Sequence, residues 1–268
     1  MSAWRSARLL MLAVSAVAVC AHAQVATEFT PTVGQSGKDV VWVPSPQALV
    51  DKMLDMAKVT PQDFVMDLGS GDGRTVITAA KRGARALGIE YNPDMVALSR
   101  RNAVAAGMGD KARFVRADIF ESDLSPATVI TLFLLPDLNV KLRPAILALK
   151  PGIRVVSNTF NMGDWEPDET FALNCDSYCT AHLWIVPARV EGKWKLAQGE
   201  LTLRQTYQTI SGTLANGASA VPISGGKLRA DEIVFVAAGA EYRGRVNGKV
   251  IEGTVKNGSN TGTWSARR

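Results

Sequence analysis

The segment Asp67-Leu68-Gly69-Ser70-Gly71-Asp72-Gly73 concentrates glycine and carboxylate where a strand-like run gives way to a helical one. Glycines at such a turn let the backbone approach a ligand that side chains would exclude. Two further acids end the next two strand-like runs. Glu90 closes Gly88-Ile89-Glu90, 17 residues after Gly73, and Asp118 closes Arg116-Ala117-Asp118. A carboxylate at the second position can accept both hydroxyls of a ribose, and one at the third suits an adenine amino group. The ends of parallel strands share one rim, where open α/β sheets bind their ligands.

The spacing discriminates among nucleotides. A dinucleotide fingerprint reads GxGxxG, but here Arg74 follows Gly73 and the last glycine is missing. Asp67 also precedes the loop, close to where a pyrophosphate would sit. No Gly-Lys-Ser/Thr follows, so a P-loop is excluded. A ligand with an ammonium or sulfonium would welcome Asp67. The group that combines a cationic sulfur, an α-amino group, a ribose and an adenine is S-adenosylmethionine.

These residues need a parallel sheet to hold them. Ser45 is expected to cap a helix with Pro46 at its first position, and Leu49, Met53, Met56 and Ala57 give it a core-facing stripe. Strands are expected over residues 64–68, 84–90, 112–118, 128–135 and 153–160. Helices are expected over 74–82, from Asn92-Pro93 to about Gly107, and over 138–150 with a kink or a restart at Pro144. This alternation predicts an α/β, Rossmann-like, doubly wound sheet. After residue 188 the texture changes to short alternating runs, with Asn216-Gly217, Asn247-Gly248 and Asn257-Gly258 as hairpin turns. An antiparallel β-meander is the expectation there. Residues 24–188 carry 16 Lys+Arg against 19 Asp+Glu, whereas 189–268 carry 12 against 6. The basic C-terminal module is therefore expected to dock on the acidic one or to face an anionic surface such as a membrane.

DLGSGDG, then GIE, then RAD resembles motifs I to III of the class I (Rossmann-like) S-adenosylmethionine-dependent methyltransferases. The resemblance runs from about Val43 to Pro187. It extends through Val43-Pro44-Ser45-Pro46-Gln47, Leu132 to Pro136, Leu142-Arg143-Pro144, Leu149 to Gly152 and Asn161 to Trp165. It is similar, more distantly, to mitochondrial protein-lysine methyltransferases. The resemblance implies a seven-stranded sheet with a terminal hairpin near residues 182–196, and S-adenosyl-L-methionine as cofactor. On these positions Gly69, Gly71 and Gly73 would make the cofactor turn and Asp67 would anchor the amino end. Glu90 would take the ribose, with Tyr91 and Asn92 on the same wall, and Asp118 the adenine, with Ile119 packing on the ring. Trp42 would cover the cofactor. The acceptor side offers Leu134-Leu135-Pro136-Asp137: carbonyls before Pro136 would accept from an amine and Asp137 would orient it. Trp165 would wall the substrate, or simply pack. A protein lysine is the acceptor that the resemblance suggests, and no nucleic acid is expected.

The whole chain has 268 residues, net charge +5, 47% hydrophobic and 21% charged residues, a globular composition. Residues 1–23 read as a signal peptide: Arg5 and Arg8, an uncharged run from Leu9 to Ala21, then Ala21-His22-Ala23 before the cut. This predicts a periplasmic or secreted protein, with domains at 24–188 and 189–268. Cys175 and Cys179 are then candidates for a disulfide. One CxxxC pair plus His182 supplies too few ligands for zinc, so no metal site is expected. Two functions compete: a methyltransferase, and a non-catalytic periplasmic binding or scaffold protein that keeps the fold.

Overall fold

Consecutive residues of the strands turn opposite ways, and both sets are buried. Val65, Val129, Val156 and Leu183 join one apolar cluster, while Met66, Ile130, Val155 and Trp184 join the other. Strands that are apolar on both sides form a sheet that must be covered on both sides. The computed structural model, which describes residues 29–217 and 219–268, shows how. The expected signal peptide, its cleavage after Ala23 and Cys20 lie outside the described residues.

The first unit runs α1 (Gln47–Met56), β1 (Phe64–Leu68), α2 (Arg74–Lys81), β2 (Arg85–Glu90), α3 (Pro93–Ala105), β3 (Ala112–Arg116), β4 (Val129–Leu132), α4 (Pro136–Leu147), β5 (Arg154–Asn158), β6 (Glu169–Ala172) and β7 (Thr180–Ile185). The sheet order is β3-β2-β1-β4-β5-β7-β6, parallel except for β7, which pairs antiparallel with β5 and β6. This is the seven-stranded α/β sheet expected from the sequence. Helices α1, α2 and α3 pack on the Val65 face and α4 on the Met66 face.

Local details depart from the sequence reading. Ser45 does not cap α1. Pro46 is the N-cap residue, and the Ser45 hydroxyl instead accepts from the Asn158 amide at 2.9 Å. Pro144 forces no restart of α4, which passes through it. The terminal hairpin lies at Glu169–Ile185, upstream of the expected 182–196, because Pro187 ends the β7 run and the next segment belongs to the second sheet.

That sheet comprises β8 (Gly192–Leu196), β9 (Gly199–Thr206), β10 (Thr209–Asn216), β11 (Ser219–Pro222), β12 (Ser224–Arg229), β13 (Glu232–Ala237), β14 (Ala240–Asn247), β15 (Val250–Asn257) and β16 (Asn260–Arg267). It is antiparallel, as expected, but not an open meander. β16 pairs with β8, β8 with β9, and β9 with β10, which returns to β12. Closure pairs both sides of the ring strands and leaves β11, paired with β10 alone, at an edge. Trp194, Phe235, Trp264 and Ile251 fill its interior. The two units meet through polar contacts of buried groups. Trp165 Nε1 donates to Gln208 Oε1 at 2.9 Å, Gln208 Nε2 donates to the Glu166 carbonyl at 2.8 Å, and Tyr207 stacks on Trp165 with centroids 5.8 Å apart.

Candidate active site

The C-terminal ends of β1 to β5 open onto one cavity of about 500 Å³, a size suited to a nucleoside-containing ligand. The strand order lays its walls out in sequence along the rim. Asp118 follows β3, Glu90 ends β2, Asp67 lies in β1, Phe133 follows β4, Phe160 follows β5 and Tyr178 stands at the tip of the β6–β7 hairpin. One half is acidic and the other aromatic.

The glycine turn is built by strand pairing. The amides of Gly69 and Ser70 both donate to the Ile89 carbonyl, at 2.9 and 3.1 Å. Glu90 then finishes the turn: one oxygen accepts from Gly71 N at 3.0 Å and the other from Asn92 N at 2.9 Å. Gly71 has φ 53°, and a Cβ there would lie 2.8 Å from Trp42 Nε1, so this glycine leaves room for the indole. Gly73 is different. It does not line the cavity; a Cβ would strike Phe114 Cζ at 2.7 Å and Ser99 Cβ at 2.8 Å. Its role is close packing of α2 against β3 and α3, a correction to its expected contact with the cofactor.

Asp67 is buried and lines the cavity, with Thr131 Oγ1 donating to it at 2.5 Å. Burial pushes its carboxyl up to about 7; the Thr131 hydrogen bond opposes this, and the charges of Asp72 and Glu90 add to it. A cation placed beside it would reverse the shift. Asp118 already has one: Lys38 Nζ lies 2.7 Å from Oδ2, while the other oxygen accepts from Phe120 N at 2.9 Å, and together these hold the carboxyl below its usual range. Lys38 belongs to a strap, residues 35–45, that covers the cavity. The strap folds on itself through Trp42 N to Gln35 O and Gly37 N to Val40 O, both 2.9 Å. Arg74 pins its end, donating to the Ser45 carbonyl at 2.7 Å while forking onto Asp72.

Asp67, Gly69, Gly71, Glu90, Tyr91, Asn92, Asp118 and Ile119 therefore line one cavity, and Trp42 lies over the turn. Of the acceptor candidates, Leu134 and Leu135 line the cavity too, whereas Pro136, Asp137 and Trp165 do not. Pro136 and Asp137 are exposed on the first turn of α4, where an acid complements the helix dipole. The Leu135 carbonyl accepts from Leu138 N and Asn139 N, so it is engaged by the helix and not free for an amine. Trp165 is fully buried between Trp184 and Tyr207 and does not line this cavity. The His182 nitrogens face Thr170 Oγ1 and the Thr159 carbonyl, and burial lowers its pKa. What sequence reasoning missed is the strap apart from Trp42, together with Phe133, Phe160 and Tyr178. Their signals in the sequence were Val43-Pro44-Ser45 and Leu132 to Pro136, quoted as pieces of the resemblance, and Tyr178 inside the Cys175–Cys179 loop, which is a disulfide.

The chemistry of the cavity fits S-adenosylmethionine. The buried Asp67 carboxylate and the Glu90 carboxylate border a cradle that Gly69 and Gly71 line. Such groups call for a polar, cationic occupant.

Residues 67–169 match the model of the ANTKMT methyltransferase domain. A protein-lysine N-methyltransferase of Saccharolobus islandicus is 44% identical over 151 residues, 55% of this chain and 94% of the relative. The adenine nucleotide translocase lysine N-methyltransferase of Mus musculus is 37% identical over 120 residues, with 44% of this chain and 52% of the relative covered. The chain thus spans about half the length of that animal relative. The crystal structure of an RNA methyltransferase from Salinibacter ruber, in complex with S-adenosyl-L-homocysteine, is 49% identical; the match covers 55% of this chain and 96% of that one, with TM-score 0.53. Sheet order, glycine turn and these matches agree: the chain belongs to the class I S-adenosylmethionine-dependent methyltransferases.

Proposed function

We propose that this methyltransferase transfers its methyl group to the side-chain amine of a protein lysine. The observation that carries the reading is the 44% identity to the Saccharolobus protein-lysine N-methyltransferase over nearly all of that relative. The Salinibacter relative is named for RNA, so charge must weigh between the two acceptors. Residues 24–188 hold more acids than bases, which repels phosphate and attracts an ammonium.

Asp67 would hold the amino end of the cofactor, Glu90 its ribose and Asp118 its adenine, with Ile119 on the ring. When bound, S-adenosylmethionine supplies an electrophilic methyl on a positively charged sulfur. The chain's contribution is orientation and exclusion of water, effects that reach about 7–11 kcal/mol in favourable intramolecular models. The strap residues Val40 and Trp42 and the apolar Leu134 and Phe133 wall that space. The amine must shed its proton before it attacks, from an ordinary pKa near ~10.4; an apolar surround disfavours its charged form and moves it that way.

The reading includes a location and a surface. The Cys175–Cys179 disulfide supports work in an oxidising compartment, in line with the export signal read at residues 1–23. The cationic surplus of residues 189–268 supports contact with an anionic membrane surface. Arg243, Arg245 and Lys193 already pair with acids of their own module, so exposed Lys249 and Lys256 are the groups proposed to meet it.

Transfer of labelled methyl to protein and RNA fractions of an envelope extract tests the acceptor. The expected result is label recovered as methyl-lysine after acid hydrolysis; label released by ribonuclease instead would overturn the lysine reading. Intact mass of the exported chain, expected to begin at Gln24, tests the location, and cosedimentation with anionic vesicles tests the surface.

A further inference from the structure

Phe133, Phe160 and Tyr178 form a triangle at the end of the cavity away from Asp118. Ring centroids are 5.2 Å apart for Phe133 and Tyr178, 6.0 Å for Phe133 and Phe160, and 6.2 Å for Phe160 and Tyr178. All three line the cavity, and Tyr178 remains 39% exposed, so the group stands at an open mouth. Ring faces attract cations, and most strongly where water is partly excluded.

Two of the three are aimed by unusual backbone. Thr159, just before Phe160, has φ 61°, and Tyr178 itself has φ 55°. A β-branched residue at positive φ is strained and persists only where its surroundings enforce it. The surroundings do so here. Thr159 N donates to the Thr180 carbonyl at 2.6 Å, and His182 Nε2 lies 3.2 Å from the Thr159 carbonyl. The buried Asn139 amide donates to the Phe160 carbonyl at 3.2 Å. On the hairpin, Leu173 N donates to the Cys179 carbonyl at 2.7 Å, and the disulfide closes the five-residue loop that carries Tyr178.

We propose that Tyr178, fixed by the Cys175–Cys179 disulfide, completes an aromatic receptor with Phe133 and Phe160 that selects the acceptor for its alkylammonium head. The proposal rests on the protein-lysine reading and names the part of the site that recognises that amine. Tyr178 is a specificity-determining residue here. It captures the charged head at the mouth, where the ammonium gives its proton to solvent water before the amine enters the adjoining apolar stretch neutral.

The test uses the full chain loaded with S-adenosylhomocysteine. The probes are Nα-acetyl-Nε-trimethyl-lysine methylamide and its uncharged carbon isostere, titrated by calorimetry. The cation is expected to bind and the isostere to bind about tenfold more weakly. Tyr178→Ala and the double variant Cys175→Ser/Cys179→Ser are each expected to lose about tenfold in cation affinity. Tyr178→Phe is expected to keep it, and S-adenosylhomocysteine affinity is expected to be unchanged in all three variants. Equal binding of cation and isostere, or unchanged cation affinity in Tyr178→Ala, overturns the proposal. Unchanged affinity in the double cysteine variant overturns the part assigned to the disulfide. Methyl-lysine formation by the wild-type chain is scored separately. If it occurs while Tyr178→Ala leaves the acceptor KM untouched, the receptor falls and the lysine reading stands; if no methyl-lysine forms, the reading itself falls.

Discussion

Cofactor binding should release a proton from Asp67. The carboxyl is buried, its hydrogen-bond donor is the neutral Thr131 hydroxyl, and its pKa lies at about 7 before a cation is brought to it. A cationic amino group placed beside it stabilises only the ionised form. At pH 6 about one tenth of the molecules carry that form and at pH 8 about nine tenths, so affinity should rise about tenfold between them. The same shift has a stability consequence of known sign. The folded carboxyl binds its proton up to about pH 7 whereas the unfolded one loses it near 3.8. Ligand-free stability therefore falls as pH rises from about 4 to about 7, by on the order of 4 kcal/mol in total. Asp67→Asn removes the ionisation but keeps a partner for Thr131. It should bind S-adenosylhomocysteine weakly with no pH dependence, and its ligand-free form should gain stability over the wild type as pH rises through 7. Titration calorimetry in two buffers of different ionisation enthalpy counts the protons: close to one released at pH 6, and few at pH 8. Wild-type affinity that is flat from pH 6 to 8, with no proton exchanged, would refute the argument.

Three further outcomes follow from the packing. Gly73→Ala should destabilise the fold by about 1–3 kcal/mol through overpacking against Phe114 and Ser99, read as a lower denaturation midpoint. Gly71→Ala should instead act on the cavity, because its new Cβ presses on Trp42; cofactor affinity should fall more than tenfold with a smaller change in stability. Gln208→Ala should orphan the buried Trp165 N–H and cost about 1–3 kcal/mol, measured by urea unfolding, while leaving S-adenosylhomocysteine affinity at the wild-type value.

The cofactor half of the site was legible because its residues are local in sequence and tied to strand ends. Asp67, Gly71 and Glu90 sit where a βα turn must place them, and β-pairing does the rest. The acceptor half was not, because it is made by long-range neighbours. Phe133 and Tyr178 are 45 positions apart, and their meeting depends on β7 running antiparallel beside β5, which no local pattern announces. Gly73 and Trp165 were misplaced for a related reason. A glycine in a cofactor turn and a tryptophan after a strand look functional from their neighbours in the chain, yet Phe114 and Tyr207, distant in sequence, decide that both serve packing. The strap resisted reading because it has no apolar period; its order comes from Arg74 and from Asp118 acting on Lys38.

The closed β module answers a packing problem in the first sheet. Among the described residues three helices cover its Val65 face, but α4 is the one helix on the other, since the chain passes from β3 to β4 without one. Part of that face is sealed by the segment around Met162 and Trp165, whose indole then needs both a ring to stack on and an acceptor for its N–H. Tyr207 and Gln208, from the β9–β10 turn, supply the two. The β module comprises β8 to β16, after the first sheet has ended with β7 at Ile185. Its contacts fall on the Trp165 side of the sheet, whereas the cavity draws its walls from the strap, the strand ends and the β6–β7 hairpin. Stability and chemistry are thus placed on separate surfaces, and substitutions at Gln208 and at Tyr178 should act independently.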